Sequence, residues 1–277
     1  MRSFALTIIL TVFGSVLFAS ETEQKDYRDY QHAEEHVRLF YKENHANQTL
    51  AFVLAKKEQY LPLRTCRMSI WDAIKMLDTL VDESDPDLGL PQSYHLFQTA
   101  EALRKDGQPR WLILTGFIHD LGKILAVYGE PQWAVVGDTF PVGCAYSDKI
   151  VFSEYFALNP DCRDAFLQTK YGIYQPKCGL NHVHMSWGHD EYLYQVVKDY
   201  LPEEGAFIIR YHSFYALHKE SEYEHLLNEQ DKNLLPWLQH FCKYDLYSKS
   251  EEKLDLEELK PYYENLVAEF FPSVLDW

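Results

Sequence analysis

Twelve histidines lie along the 277 residues, and most must be bystanders, because a lone His on a helix is ordinarily a surface or hydrogen-bonded group. His119-Asp120 stands apart. It falls within the apolar run Trp111-Leu-Ile-Leu-Thr-Gly-Phe-Ile-His-Asp-Leu-Gly-Lys, read as one helix, where an adjacent imidazole and carboxylate are costly to bury unless something compensates them. A metal ion would do so; an interior hydrogen-bonded pair is the plainer alternative. Neighbouring residues diverge by about 100° around a helix, so both ligate only if the helix passes close to the metal, and a carboxylate placed there can bridge two ions. Lys123, four residues beyond His119, shares its face. Compatible ligands recur in Tyr94-His95-Leu96-Phe97, Trp187-Gly188-His189-Asp190, Arg210-Tyr211-His212-Ser213-Phe214 and Lys243-Tyr244-Asp245-Leu246. Four imidazoles (His95, His119, His189, His212) and two carboxylates (Asp120, Asp245), with no thiolate, suit iron or manganese better than a structural zinc. Lys249, four residues after Asp245, can turn a second ammonium toward the cluster. His182 and His184 read as surface histidines on a loop.

Helices must carry these groups. Apolar spacing predicts two helices within residues 21–60, carrying Val37, Phe40 and Tyr41, then Leu50, Val53 and Leu54. Ser69 followed by Asp72 marks a helix start, with a stop expected in Asp82-Glu83-Ser84-Asp85-Pro86. Helices are also expected over about 91–105, 109–127, 189–200, 203–217, 222–229, 234–247 and 256–270. Between about 130 and 188, Pro131, Pro141, Gly143, Pro160, Pro176 and Gly179 interrupt every run, which leaves short helices and irregular backbone, with room for a short strand at Trp133 to Val136. The expected fold is all-α, a single helical domain over residues 21–277 with an irregular insert at about 130–188.

Composition narrows the function. With 47% apolar and 15% aromatic residues the chain can bury a large core, and a net charge of −16 opposes binding to nucleic acid. The five cysteines (Cys66, Cys144, Cys162, Cys178, Cys242) are odd in number and lack CxxC spacing, so neither a disulfide framework nor a thiolate zinc site is indicated. Residues 1–20, with Arg2 before the apolar run Phe4 to Phe18, have the shape of a signal peptide; a membrane anchor or a misassigned start are the other readings. Asn47-Gln48-Thr49 is a glycosylation acceptor only in a secreted chain. Gly116 to Gly122-Lys123 imitates a phosphate-binding loop but has five residues between the glycines and Ile124 in place of Ser or Thr.

The order His, His-Asp, then a distant Asp resembles the HD-domain metalloprotein superfamily. Longer strings resemble the myo-inositol oxygenase family: Leu80-Val-Asp-Glu-Ser-Asp-Pro-Asp, Phe97-Gln-Thr-Ala-Glu, Ile118-His-Asp-Leu-Gly-Lys, Gly129-Glu-Pro-Gln-Trp-Ala-Val-Val-Gly-Asp, Met185-Ser-Trp-Gly-His-Asp-Glu-Tyr and Tyr244-Asp-Leu-Tyr, in order from about residue 26 onward. The resemblance implies an HD-like helical bundle whose His95, His119, Asp120 and Asp245 hold one iron and His189 and His212 the other, with Asp120 between them. It implies a substrate-facing set of Arg28, Asp82, Glu83, Ser84, Lys123, Gly137, Asp138, His212, Ser213 and Lys249, with Lys123 as the catalytic ammonium. The activity implied is conversion of myo-inositol and O₂ to D-glucuronate at a mixed-valent Fe(II)/Fe(III) pair, in a monomer placed in the cytoplasm by the same resemblance. An HD-type phosphohydrolase and a non-catalytic metal-binding protein are the competing readings; oxygen uptake, phosphate release or neither separates them.

Overall fold

The computed structural model describes residues 30, 33–80, 91–247 and 254–277. The leader at 1–20 and the expected substrate residues Arg28, Asp82, Glu83, Ser84 and Lys249 lie outside the described residues. The architecture is all-α: α1 (Glu35–Asn47), α2 (Leu50–Tyr60), α3 (Ile70–Leu77), α4 (Gln92–Lys105), α5 (Arg110–Ile118), α6 (His189–Val197), α7 (Glu203–Tyr211), α8 (Tyr215–His218), α9 (Glu229–Tyr247) and α10 (Leu256–Phe270). Local chemistry starts several of them. Ser69 and Asp72 form a capping box at α3, with the Asp72 N–H donating to Ser69 Oγ at 3.1 Å, a device worth about 1 kcal/mol. Asp255 caps α10 by accepting from the Glu257 and Glu258 amides. α3 ends at Leu77, earlier than expected, and the Asp78 carboxylate past its end accepts from the Ser93 amide and hydroxyl.

α5 is the central helix, buried from Leu112 through Ile118, because it is apolar on every side and needs neighbours all round. α4, α7 and α9 pack on it, α6 packs on α7, and α9 also meets α4. The expected long helix over 109–127 is broken: α5 stops at Ile118, Asp120 takes φ −96° and ψ 0°, and a 3₁₀ helix continues over Leu121–Ala126. The segment between it and α6 is irregular, as its prolines and glycines require. The short strand for which there was room at Trp133 to Val136 is not formed; Gln132–Ala134 is a 3₁₀ turn. Pro131 sets the turn going, and Ala134, Val135 and Val136 are buried by packing rather than by strand pairing. Two short features went unforeseen: an antiparallel pair of β1 (Arg67–Met68) with β2 (Leu275–Asp276), and a bridge joining Pro141 to Met185. Among the described residues no helix is long and apolar enough to cross a membrane.

Candidate metal centre

The broken helix is what brings ligands together. Because α5 ends at Ile118, His119 caps its C-terminus and Asp120 turns out of the helical path, so the two side chains need not diverge as helix neighbours do. The Lys123 Nζ comes back through the 3₁₀ turn and donates to Asp120 Oδ2 at 2.8 Å. Lys123 therefore reaches the cluster, but by three-residue spacing to Asp120 and not by sharing a helical face with His119. Gly122 sits against the start of α6, where a Cβ would stand 2.2 Å from the His189 carbonyl oxygen. Only a glycine lets the segment that carries Asp120 lie on the one that carries His189.

All six expected ligands converge. His189 Nε2 is 3.3 Å and His212 Nε2 3.7 Å from Asp120 Oδ1, and those two nitrogens are 3.2 Å apart. On the other side, His119 Nε2 lies 3.5 Å from Asp120 Oδ2 and 3.2 Å from Asp245 Oδ1, which is 3.0 Å from His95 Nε2. Two ligand groups result, His95 with His119 and Asp120, and Asp120 with His189 and His212. Asp120 belongs to both and offers one oxygen to each. Ligand bonds of about 2.1 Å at right angles put donor atoms about 3 Å apart, so these spacings fit ions in both groups.

The hydrogen bonds show which atoms are available. Near helix C-termini the last carbonyls lack amide partners, and two imidazoles use them: His119 Nδ1 is 2.9 Å from the Gly116 oxygen and His212 Nδ1 is 3.0 Å from that of Ile209. His189 Nδ1 is 2.8 Å from the Val135 oxygen. A carbonyl can only accept, so all three Nδ1 atoms carry protons and turn Nε2 inward. His119 Nε2 is buried without a hydrogen-bond partner among the described residues. Imidazole lone pairs and carboxylate oxygens thus face one another, an arrangement that calls for positive charge in their midst. Electrostatics within the chain say the same. Burial works against the His189 imidazolium, but Asp190 and Asp120 outweigh it and push its pKa up to about 10. His119 is also raised, by Asp120 and Asp245 against burial. Burial opposes ionisation of Asp120 and Asp245 too, yet Lys123 and His119 hold the former, and His119 and His95 the latter, well below the usual carboxylate range.

Of the other expected residues, Ser213, next to His212, and Asp138 are both buried. The Ser213 hydroxyl donates to Asp190 Oδ1 at 3.0 Å, its amide donates to Asp190 Oδ2, and its carbonyl accepts from the Thr139 amide at 2.9 Å. Asp138 Oδ1 accepts from the Tyr41 hydroxyl at 3.2 Å. Gly137 has φ +89°, and a Cβ there would press 2.8 Å from Phe40 Cε1, so its role includes seating α1. His182 is exposed, as expected of a surface histidine, whereas His184 is half-buried. Asp190 was missed. Its carboxylate lies 3.0 Å from His189 Nε2 and ties α6 to the turn after α7; the signal available was a second His-Asp pair. Also missed was the buried ion pair two residues from each of those ligands, with Arg210 Nε donating to Glu191 Oε2 at 2.7 Å.

Comparison with known proteins accords with this centre. Residues 34–277 match the family described as Myo-inositol oxygenase. The chain is 53% identical to Inositol oxygenase 1 of Arabidopsis thaliana, covering 91% of this chain and 85% of that one. It is 48% identical to Inositol oxygenase of Danio rerio over 95% and 98%, and 46% identical to Inositol oxygenase of Dictyostelium discoideum over 94% and 92%. A likeness of this extent, spanning every segment that builds the cluster, makes the chain a member of the myo-inositol oxygenase family.

Proposed function

We propose that this chain cleaves the ring of myo-inositol with O₂ to give D-glucuronate, using two iron ions held by His95, His119, Asp120, His189, His212 and Asp245. The observation that carries the reading is the cluster of inward-facing imidazole and carboxylate donors, with one Asp120 oxygen on each side. Nitrogen and oxygen donors without thiolate suit iron, and a bridging carboxylate suits a pair. When bound, such ions supply O₂ activation and Lewis acidity toward substrate oxygens. The chain's own residues do the rest. Gly116, Val135 and Ile209 carbonyls hold three imidazole planes in place, which keeps the ligand atoms fixed without reorganisation. Lys123, hydrogen-bonded to Asp120 and 3.4 Å from Gln92 Oε1, holds an ammonium at the rim, where it stabilises negative charge on a substrate oxygen in a site shielded from water. Asp138 and Ser213 offer a carboxylate and a hydroxyl to polyol hydroxyls, and Arg28, Asp82, Glu83, Ser84 and Lys249 complete that set. Residues 21–277 form one catalytic domain that acts as a monomer in the cytoplasm, a placement that rests on family resemblance and that a glycan on Asn47 would overturn.

The test is direct. Purified chain loaded with Fe(II) should consume O₂ only when myo-inositol is added and form glucuronate in step with it. Phosphate release from phosphate esters without O₂ uptake would favour the hydrolase reading of the same cluster.

A further inference from the structure

The four imidazoles of the centre are not held alike. His119, His189 and His212 each have Nδ1 on a backbone carbonyl at 2.8–3.0 Å, whereas His95 Nδ1 is buried with no hydrogen-bond partner among the described residues. Its place in the fold explains this. His119 and His212 sit at the C-terminal ends of α5 and α7, where carbonyls are left over. His95 sits in the first turn of α4, where the groups left over are amides that donate and cannot receive an imidazole N–H. A second difference runs the same way: the His95 side chain is 19% exposed against 1% for His119 and 3% for His189 and His212. Within the cluster its Nε2 approaches Asp245 Oδ1 at 3.0 Å and its ring meets that of His119 edge-on at 5.2 Å, and Asp245 is itself the more exposed carboxylate, at 10% against 6% for Asp120.

We infer that His95 is the gate ligand of the centre: its ring turns away on α4 to admit or release the metal ion that it shares with His119 and Asp245, while the ion between His189, His212 and Asp120 stays in place. The inference rests on the two-ion reading above and adds to it an order of exchange. It concerns lability and not the number of ligands, since a site with more donors still opens through the one that is least restrained. Loss of a partner on the outer nitrogen of a ligating His weakens metal affinity about 10- to 100-fold; with no such partner for His95 among the described residues, its ion should leave faster than the other by about that factor.

The full chain loaded with Co(II) and chased with a chelator tests this through the visible absorption of the ions, independently of turnover. Two release phases of one ion each, separated tenfold or more, are expected, and His95→Gln should abolish the fast phase while leaving one ion leaving at the slow rate. In the Zn(II)-loaded wild type, where no variant is needed, NMR should find three slowly exchanging imidazole Nδ1–H protons and one, that of His95, exchanging fast. A single release phase with two ions bound, loss of the slow ion in His95→Gln, or four equally protected imidazole protons would overturn the gate and leave the two-ion reading standing. Binding of fewer than two Co(II) ions by the wild type would overturn both.

Discussion

Replacing Gly122 by alanine should cost more than so small a change suggests. On propensity alone, Gly to Ala in helical backbone gains up to about 1 kcal/mol. At this position the new Cβ would stand 2.2 Å from the His189 carbonyl oxygen, 2.8 Å from its carbon and 2.9 Å from its Cα. All three are backbone atoms, so no side-chain rotation relieves the clash. The 3₁₀ turn carrying Asp120 must move off α6 by about 1 Å, and a displacement of that size at a reaction centre can cost roughly a hundredfold in rate. Overpacking of this kind destabilises by about 1–3 kcal/mol, or roughly 2–12 °C in Tm for a chain of this class. The His189–Asp120 and His212–Asp120 separations, 3.3 and 3.7 Å, would open beyond the spacing that one ion spans. Calorimetry of the metal-free chain and iron analysis after reconstitution should therefore show a lower Tm and loss chiefly of the ion on the His189 side. A variant with unchanged Tm and full iron would refute the close packing of these two segments as the device that assembles the centre.

Asp120→Asn should be the most damaging carboxylate change, since one residue serves both ligand groups; iron analysis should find both ions depleted, and full occupancy would contradict the bridge. Lys123→Ala should keep its iron while inositol binding and ring cleavage weaken, by about 3 kcal/mol or roughly a hundredfold or more in rate; loss of iron would reassign Lys123 to supporting Asp120, and wild-type turnover would make it a bystander. Glu191 contributes to acid stability. Burial alone would raise its pKa, but Arg210 and Lys57 outweigh that and hold it below its ordinary 4.5, so its contribution is present in full above that value and is lost as pH falls through the lowered folded pKa. Glu191→Gln should start less stable at neutral pH, because Arg210 is left buried without its partner, and should lose less Tm than wild type between pH 5 and the acid limit; parallel Tm profiles would refute this.

Much of the centre was legible because buried ionisable groups on apolar segments have few physical excuses: His95, His119, Asp120, His189, His212 and Asp245 could be singled out as residue types that conflict with their surroundings. Ser69 and Asp72 declared the start of α3 in the same way, through a pattern with a known hydrogen-bond geometry. What stayed hidden depended on contacts far apart in the chain. No Gly or Pro marks a stop at Ile118, and the break before Asp120 depends on Gly122 meeting His189, which no local window reveals. Val135 holds His189 with its carbonyl, a group every residue carries, so nothing in its side chain announces the role. The short strand that Trp133 to Val136 could have formed is absent for a related reason: consecutive β-branched residues fit a buried turn as well as a strand, and only the surroundings decide. Asp190 was overlooked because a carboxylate beside a ligand reads as another solvated acid until Ser213 is seen to donate to it twice.

Anomalous diffraction at the iron edge from crystals of the iron-loaded chain would show whether two iron ions share Asp120. Two peaks about 3.5–4 Å apart are expected, one beside His95, His119 and Asp245 and one beside His189 and His212, with the Asp120 carboxylate between them. A single peak, or two peaks with Asp120 turned away from either, would contradict it.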